Sequence, residues 1–139
     1  MRSDALFLDS AYAIALAAPD DESHAKAATL AAELRSRNLQ MLTTEAVLFE
    51  IGDALSKPKF RRTAIELMTS IFTDPQINVV PVTSVLVRRA FELFQRRPDK
   101  SWGMTDCLSF IVMEDHGIQQ ALTTDEHFEQ AGFTALLRR

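Results

Sequence analysis

A single cysteine, Cys107, excludes an internal disulfide framework and suits a reducing compartment. Glycine is scarce. Gly52, Gly103, Gly117 and Gly132 are the only four, and none falls within GxGxxG or GxxxxGK[ST], which leaves a Rossmann dinucleotide loop and a P-loop without support. GxSxG, HExxH and CxxC are also missing, as is any repeat of useful period. No apolar run approaches the roughly 18 residues of a membrane span. The opening stretch MRSDALFLDSAYAIALAAPDDE resembles a secretory leader in length, but Asp4 and Asp9 interrupt it and a lone basic residue precedes its apolar part. Nor is there an excess of positive charge. The 15 Lys and Arg stand against 19 Asp and Glu, a formal net charge of −4, whereas a protein that coats nucleic acid by counterion release is basic. An enzyme that meets nucleic acid through metal ions escapes that argument, because the carboxylates holding the ions are themselves negative.

What remains is 139 residues, 47% of them hydrophobic, enough for one cytoplasmic domain spanning 1–139 with a buried core. Short apolar runs alternate with longer stretches of helical period. Ala5–Leu8 reads as a strand, followed at Asp9 by an alanine-rich helix to Ala17. Pro19 and the acidic Asp20-Asp21-Glu22 open a second helix, with Ala27, Leu30, Ala31 and Leu34 on one face. Gln40–Thr43 is a second strand. Thr44 caps a helix with Val47, Ile51, Ala54 and Leu55 inward, and Lys57-Pro58-Lys59 ends it. An amphipathic helix carries Phe60, Ala64, Leu67, Met68 and Ile71. The β-branched Ile77–Val82 is the clearest strand. Val87, Ala90, Phe91 and Phe94 mark the next helix, closed by Arg96-Arg97-Pro98. Thr105–His116 is apolar on most sides and reads as a sandwiched helix, with Gly117 as its C′ residue. Gln120–Thr123 is a fourth strand, and Phe133–Leu136 a fifth after a short helix over 126–131. This alternation predicts an α/β fold, a three-layer sandwich with a mainly parallel sheet of four to five strands and helices on both faces.

In an open parallel sheet, ligands bind beyond the carboxyl ends of the strands. Asp9 follows the first strand, and Asp125 the fourth. Glu50 lies near the second turn of the helix after the second strand, its side chain leaning back toward that helix's start. Asp106 opens the helix that leads into the fourth strand. Each has a structural explanation: Asp9 and Asp125 as helix caps, Asp106 as a first-turn acid, Glu50 as a half-exposed surface acid. Together, four carboxylates on one edge repel by several kcal/mol per close pair at an effective ε of about 20. A divalent cation removes that penalty, and oxygen ligands alone favour Mg²⁺ or Mn²⁺. Such a site suits hydrolysis of a phosphodiester.

LDSAYAIAL around Asp9, TTEAVLFEIGDAL around Glu50, SWGMTDCLSF around Asp106 and ALTTDEHFEQAGF around Asp125 together resemble the four acidic blocks of PIN domains. Among these the resemblance is closest to the toxin-type ribonucleases of bacterial VapBC toxin–antitoxin pairs, and it covers essentially the whole chain. It implies strand order 3-2-1-4-5, with Asp9 and Asp125 flanking the crevice at the switch point. It also implies Mg²⁺- or Mn²⁺-dependent cleavage of single-stranded RNA, with Asp9, Glu50, Asp106 and, less tightly, Asp125 holding the metal. A homodimer and a small antitoxin that fills the cleft are further implications.

Other side chains keep two readings. Ser10, Thr105 and Thr124 adjoin the acids, where their hydroxyls either hydrogen-bond a ligating carboxylate or cap helices. Glu45 is a first-turn acid or an accessory to the site. His24, His116 and His127 lack ligand spacing and read as surface or satisfied histidines. Trp102 either packs or stacks on a base. Lys57, Lys59, Arg61 and Arg62, and likewise Arg88, Arg89, Arg96, Arg97 and Lys100, form basic runs that are solvated helix faces or a track for RNA. Two rival functions are a catalytically silent binding module and an acidic-pocket phosphoacceptor domain. The silent module fits poorly with four intact acids. The phosphoacceptor lacks paired acids after the first strand, an acceptor Asp after the third (Val82-Thr83-Ser84 follows it) and a late lysine. A DxD-type phosphatase fails because Ala11 stands where the second Asp is required.

Overall fold

The computed structural model describes residues 3–138. Five strands, β1 (Leu6–Leu8), β2 (Met41–Thr44), β3 (Ile77–Val80), β4 (Gln120–Leu122) and β5 (Thr134–Ala135), form one sheet in the order β3-β2-β1-β4-β5. Every pairing is parallel, with Leu6 opposite Met41, Phe7 opposite both Leu42 and Ala121, and Thr44 opposite Val80. β1 sits at the centre, and all three of its residues are buried, as a strand covered on both faces requires.

Among the described residues, seven α-helices make the crossovers: α1 (Ser10–Ala17), α2 (His24–Arg37), α3 (Glu45–Ala54), α4 (Pro58–Thr73), α5 (Ser84–Arg96), α6 (Met104–Asp115) and α7 (Glu126–Gln130). Right-handed parallel crossovers put the β1-to-β3 connections on one face and the β3-to-β5 connections on the other. The packing agrees, since α1 rests on α2, α3 and α4, and α6 on α5 and α7. Helix α3, which carries Glu50, also touches α6, which carries Asp106. The strand order reverses between β1 and β4, so Asp9 and Asp125 both leave the sheet at the switch point.

Local chemistry explains most boundaries. The Thr44 hydroxyl accepts from Val47 N at 3.2 Å and that of Thr83 from Leu86 N at 3.1 Å, which caps α3 and α5. Gly117 takes a positive φ of 66° and lets Ile118 N reach Met113 O at 2.9 Å, closing α6. Three expectations are corrected. Pro58 begins α4 at its first turn, where a missing N–H costs nothing, so Lys57-Pro58-Lys59 opens a helix instead of ending one. Asp20, Asp21 and Glu22 precede α2 in a turn, with Asp21 Oδ1 accepting from Ser23 N at 2.8 Å. On α5 the buried residues are Leu86 and Ala90, while Val87, Phe91 and Phe94 are exposed at 41, 50 and 44%.

Across the sheet the core is aromatic on the α6–α7 side. Phe110 of α6 meets Phe128 of α7 edge-on at 5.0 Å and Trp102 at 5.0 Å, and Phe128 lies 6.2 Å from Phe7 of β1. Trp102 is buried, with the Arg97 guanidinium 5.1 Å above its ring, so it packs and does not offer a face to a base. No helix is long and apolar enough to cross a membrane among the described residues.

Candidate active site

Asp9 ends β1 and is buried. Its Oδ2 accepts from the Thr123 hydroxyl at 2.6 Å, and its backbone N–H donates to Leu122 O at 3.3 Å. Burial pushes its carboxyl up to about 6, the Thr123 hydroxyl and the backbone N–H groups of Ser10 and Ala11 oppose that rise, and the charge of Asp125 adds to it. Glu50 projects from the second turn of α3 and accepts at Oε1 from Ser10 Oγ at 3.0 Å. Burial again leads the upward push, here to about 7, reinforced by the negative charges of Asp9, Asp106 and Asp125 and opposed by the Ser10 hydroxyl. Glu50 therefore feels the charges of the other three acids at once.

Asp106 occupies the first turn of α6, where its Oδ2 accepts from Gly103 N at 3.0 Å, the acid's half of a capping box. Asp125 is the N-cap of α7 and accepts from His127 N at 2.8 Å through Oδ1. Both capping roles are thus real, and neither consumes the carboxylate. Among the described residues, Oε2 of Glu50, Oδ1 of Asp106 and Oδ2 of Asp125 accept no hydrogen bond. No Lys or Arg pairs with any of the four acids among those residues.

The chain matches the PIN domain family over residues 6–134. It is a PIN domain. It is 30% identical over 128 residues, 92% of this chain and 95% of the relative, to the 23S rRNA-specific endonuclease VapC20 of Mycobacterium tuberculosis, in strain H37Rv and equally in strain CDC 1551. The crystal structure of M. tuberculosis VapC20, a sarcin–ricin loop cleaving toxin, superposes with a TM-score of 0.81 at 28% identity, covering 93% of this chain and 96% of that one. The parallel order 3-2-1-4-5 is the PIN arrangement in this chain as well.

Within this PIN site the most compact group of ligand atoms, all within 4.8 Å of one another, belongs to Asp106, Asp125 and His127, with Asp9 and Glu50 outside that radius. His127 is a satisfied histidine, as the sequence reading allowed, but the groups that satisfy it are acids of the site. Its Nδ1 lies 3.0 Å from Asp106 Oδ2 and 3.4 Å from Asp125 Oδ1. The only signal in the sequence was its position two residues after Asp125. Thr123 was missed as well, because it ends a strand whose period gives no hint of a polar role. Thr124, in contrast, offers Arg138 its carbonyl, and neither its hydroxyl nor that of Thr105 makes a hydrogen bond among the described residues. Glu45 is drawn aside, accepting from Val82 N at 2.8 Å. Cys107 is fully buried next to Asp106, and burial pushes its thiol up, away from reactivity.

Proposed function

We propose that this PIN domain, a single unit over 1–139, is a metal-dependent endoribonuclease and the toxin of a toxin–antitoxin pair. The observation that carries the reading is four carboxylates from four distant segments, two of them pushed up to about 6 and 7, with no Lys or Arg paired to them among the described residues. Holding such a group ionised is costly in the absence of a cation, and an all-oxygen donor set fits Mg²⁺, with Mn²⁺ as a substitute. Asp9, Glu50, Asp106 and Asp125 would hold it. When bound, the ion supplies charge neutralisation at the phosphodiester and activation of water. The chain's own contribution is orientation. Thr123 fixes Asp9, Ser10 fixes Glu50 and Gly103 N fixes Asp106, each through one carboxylate oxygen.

RNA is the substrate of this reading, and because the relative is specific for 23S rRNA, that molecule is the first to test. An antitoxin that covers the acidic cleft belongs to it too, as do a cytoplasmic location and a homodimer. The exposed Val87, Phe91 and Phe94 on α5 give a second copy apolar surface to bury, and Phe91→Glu should then lower the mass measured by light scattering from dimer to monomer. The decisive assay is cleavage of 23S rRNA by the purified protein in Mg²⁺, Mn²⁺ or EDTA, beside Asp9→Asn and Asp106→Asn. Expected is cleavage with either ion, none in EDTA, and a loss of at least about 100-fold in both variants, the scale seen when an electrostatic stabiliser is removed. Equal residual cleavage in wild type and variants would trace the activity to a contaminant and remove the proposal.

A further inference from the structure

We infer that His127 is a positioning residue of this centre, acting through Asp106; the inference rests on the metal-dependent reading above. Its Nδ1 stands 3.0 Å from Asp106 Oδ2 and 3.4 Å from Asp125 Oδ1, while its backbone N–H donates to that same Asp125 oxygen at 2.8 Å. Ionised carboxylates only accept hydrogen bonds. A bare nitrogen lone pair facing two of them at these distances is repelled, so Nδ1 carries the proton. A protonated nitrogen has no lone pair to give a cation. Through Nδ1, His127 therefore orients the acids instead of joining them as a ligand.

The surroundings show what that work is. Asp106 Oδ2 receives two donors, Gly103 N from the start of α6 and His127 Nδ1 from α7. Two donors from two elements fix both the tilt and the rotation of the carboxylate, leaving Oδ1 as its free donor oxygen. The neighbour of His127, Phe128, is buried and set edge-on against Phe110 at 5.0 Å, one turn along α6 from Asp106. The aromatic contact clamps α7 to α6, and the imidazole converts that clamp into a defined carboxylate orientation. Removing a partner that orients a ligating carboxylate generally weakens metal binding by about 10- to 100-fold.

The test uses the full chain and Mn²⁺ as the probe, with binding followed by the loss of the free-ion EPR signal. In His127→Asn the side-chain amide N–H falls near the place of Nδ1, whereas in His127→Gln it falls near Nε2. Asn should restore most of the wild-type Mn²⁺ affinity. Gln and His127→Ala should weaken it by about 10- to 100-fold, lowering kcat with little change in KM for RNA, and all three should keep the wild-type circular dichroism spectrum. Pulsed EPR of the wild-type Mn²⁺ complex should show no ¹⁴N coupling from a directly bound imidazole. Strong ¹⁴N coupling, or Ala binding Mn²⁺ as tightly as wild type, overturns the positioning role and leaves the metal site standing. Wild type failing to bind Mn²⁺, or Asp106→Asn binding it equally well, strikes the metal-dependent reading itself.

Discussion

Thr123 Oγ1 lies 2.6 Å from Asp9 Oδ2, a contact between residues 114 positions apart that joins the ends of β4 and β1. The same oxygen accepts from Asp125 N at 3.0 Å, so one fully buried hydroxyl sets two of the four acids. Thr123→Val keeps the shape and deletes both bonds. Leaving buried polar groups unpaired costs about 1–3 kcal/mol, visible as a lower denaturant midpoint. Without the donor that favours its charged form, Asp9 should ionise at still higher pH, and Mn²⁺ binding should need a more alkaline buffer. Thr123→Ser should behave as wild type in both measurements. A valine variant with wild-type pH dependence of Mn²⁺ binding would show that the hydroxyl does not tune Asp9.

The raised carboxyls of Asp9 and Glu50 set the sign of a pH effect on stability. Their ordinary values are 3.8 and 4.5, and the fold pushes them up to about 6 and about 7. Between those limits the native state retains protons that the unfolded chain has released, so stability falls as pH rises from about 4 to about 7 and this contribution is constant above. The loss is on the order of 3 kcal/mol for buried Asp9 and smaller for half-buried Glu50, whose shift is screened by solvent. Urea melts in EDTA should therefore show greater stability near pH 5.5 than near pH 8. Millimolar Mg²⁺, which favours the ionised acids, should flatten or reverse the trend. Stability in EDTA that climbs with pH over this interval contradicts the argument.

The parts of the fold that were legible in the sequence are those governed by local chemistry. Thr44 as a cap, Gly117 as a helix stop and the β-branched run at 77–80 each carry their own physical reason, and Asp9 and Asp125 could be assigned to strand ends because an α/β alternation defines which edge is the ligand edge. Strand order came from resemblance to a family, since no local rule distinguishes 3-2-1-4-5 from other windings. The donors that orient the acids were hidden. Thr123 and His127 act through contacts closed by tertiary packing, and Glu45 was captured by the chain after β3, which no spacing along the sequence encodes. The aromatic positions of α5 were misleading for a related reason: Phe91 and Phe94 keep helical period but lie outside the face that Leu86 and Ala90 bury.

Asp9 also offers a direct exchange of function for stability. A buried carboxylate that ionises only near 6 is a liability at neutral pH when no cation is present. Asp9→Asn removes the charge, and its amide oxygen still accepts from Thr123. At pH 8 in EDTA the variant should be more stable than wild type by roughly 1–3 kcal/mol, bounded by the size of the shift, while RNA cleavage falls to background. A variant less stable than wild type under these conditions would mean that the charge is compensated within the protein and that the demand for a cation has been overstated.

The aromatic cluster links the same site to the core, and a pair of substitutions separates burial from mere hydrophobicity. Phe128 is 1% exposed, in contact with Phe7 and Phe110, and lies next to His127 and three residues beyond Asp125. Phe128→Ala removes most of a ring from a packed interior and should cost about 3–5 kcal/mol. Because α7 loses its anchor, Mn²⁺ affinity should fall even at temperatures where the variant remains folded. Phe91 is 50% exposed on α5, and Phe91→Ser should change the stability of an isolated protomer by no more than about 0.5 kcal/mol. Guanidinium melts at low protein concentration, paired with Mn²⁺ titrations, read both outcomes. If Phe128→Ala lost stability but bound Mn²⁺ like wild type, Asp125 and His127 would be held by the sheet edge alone and not by the packing of α7 on α6.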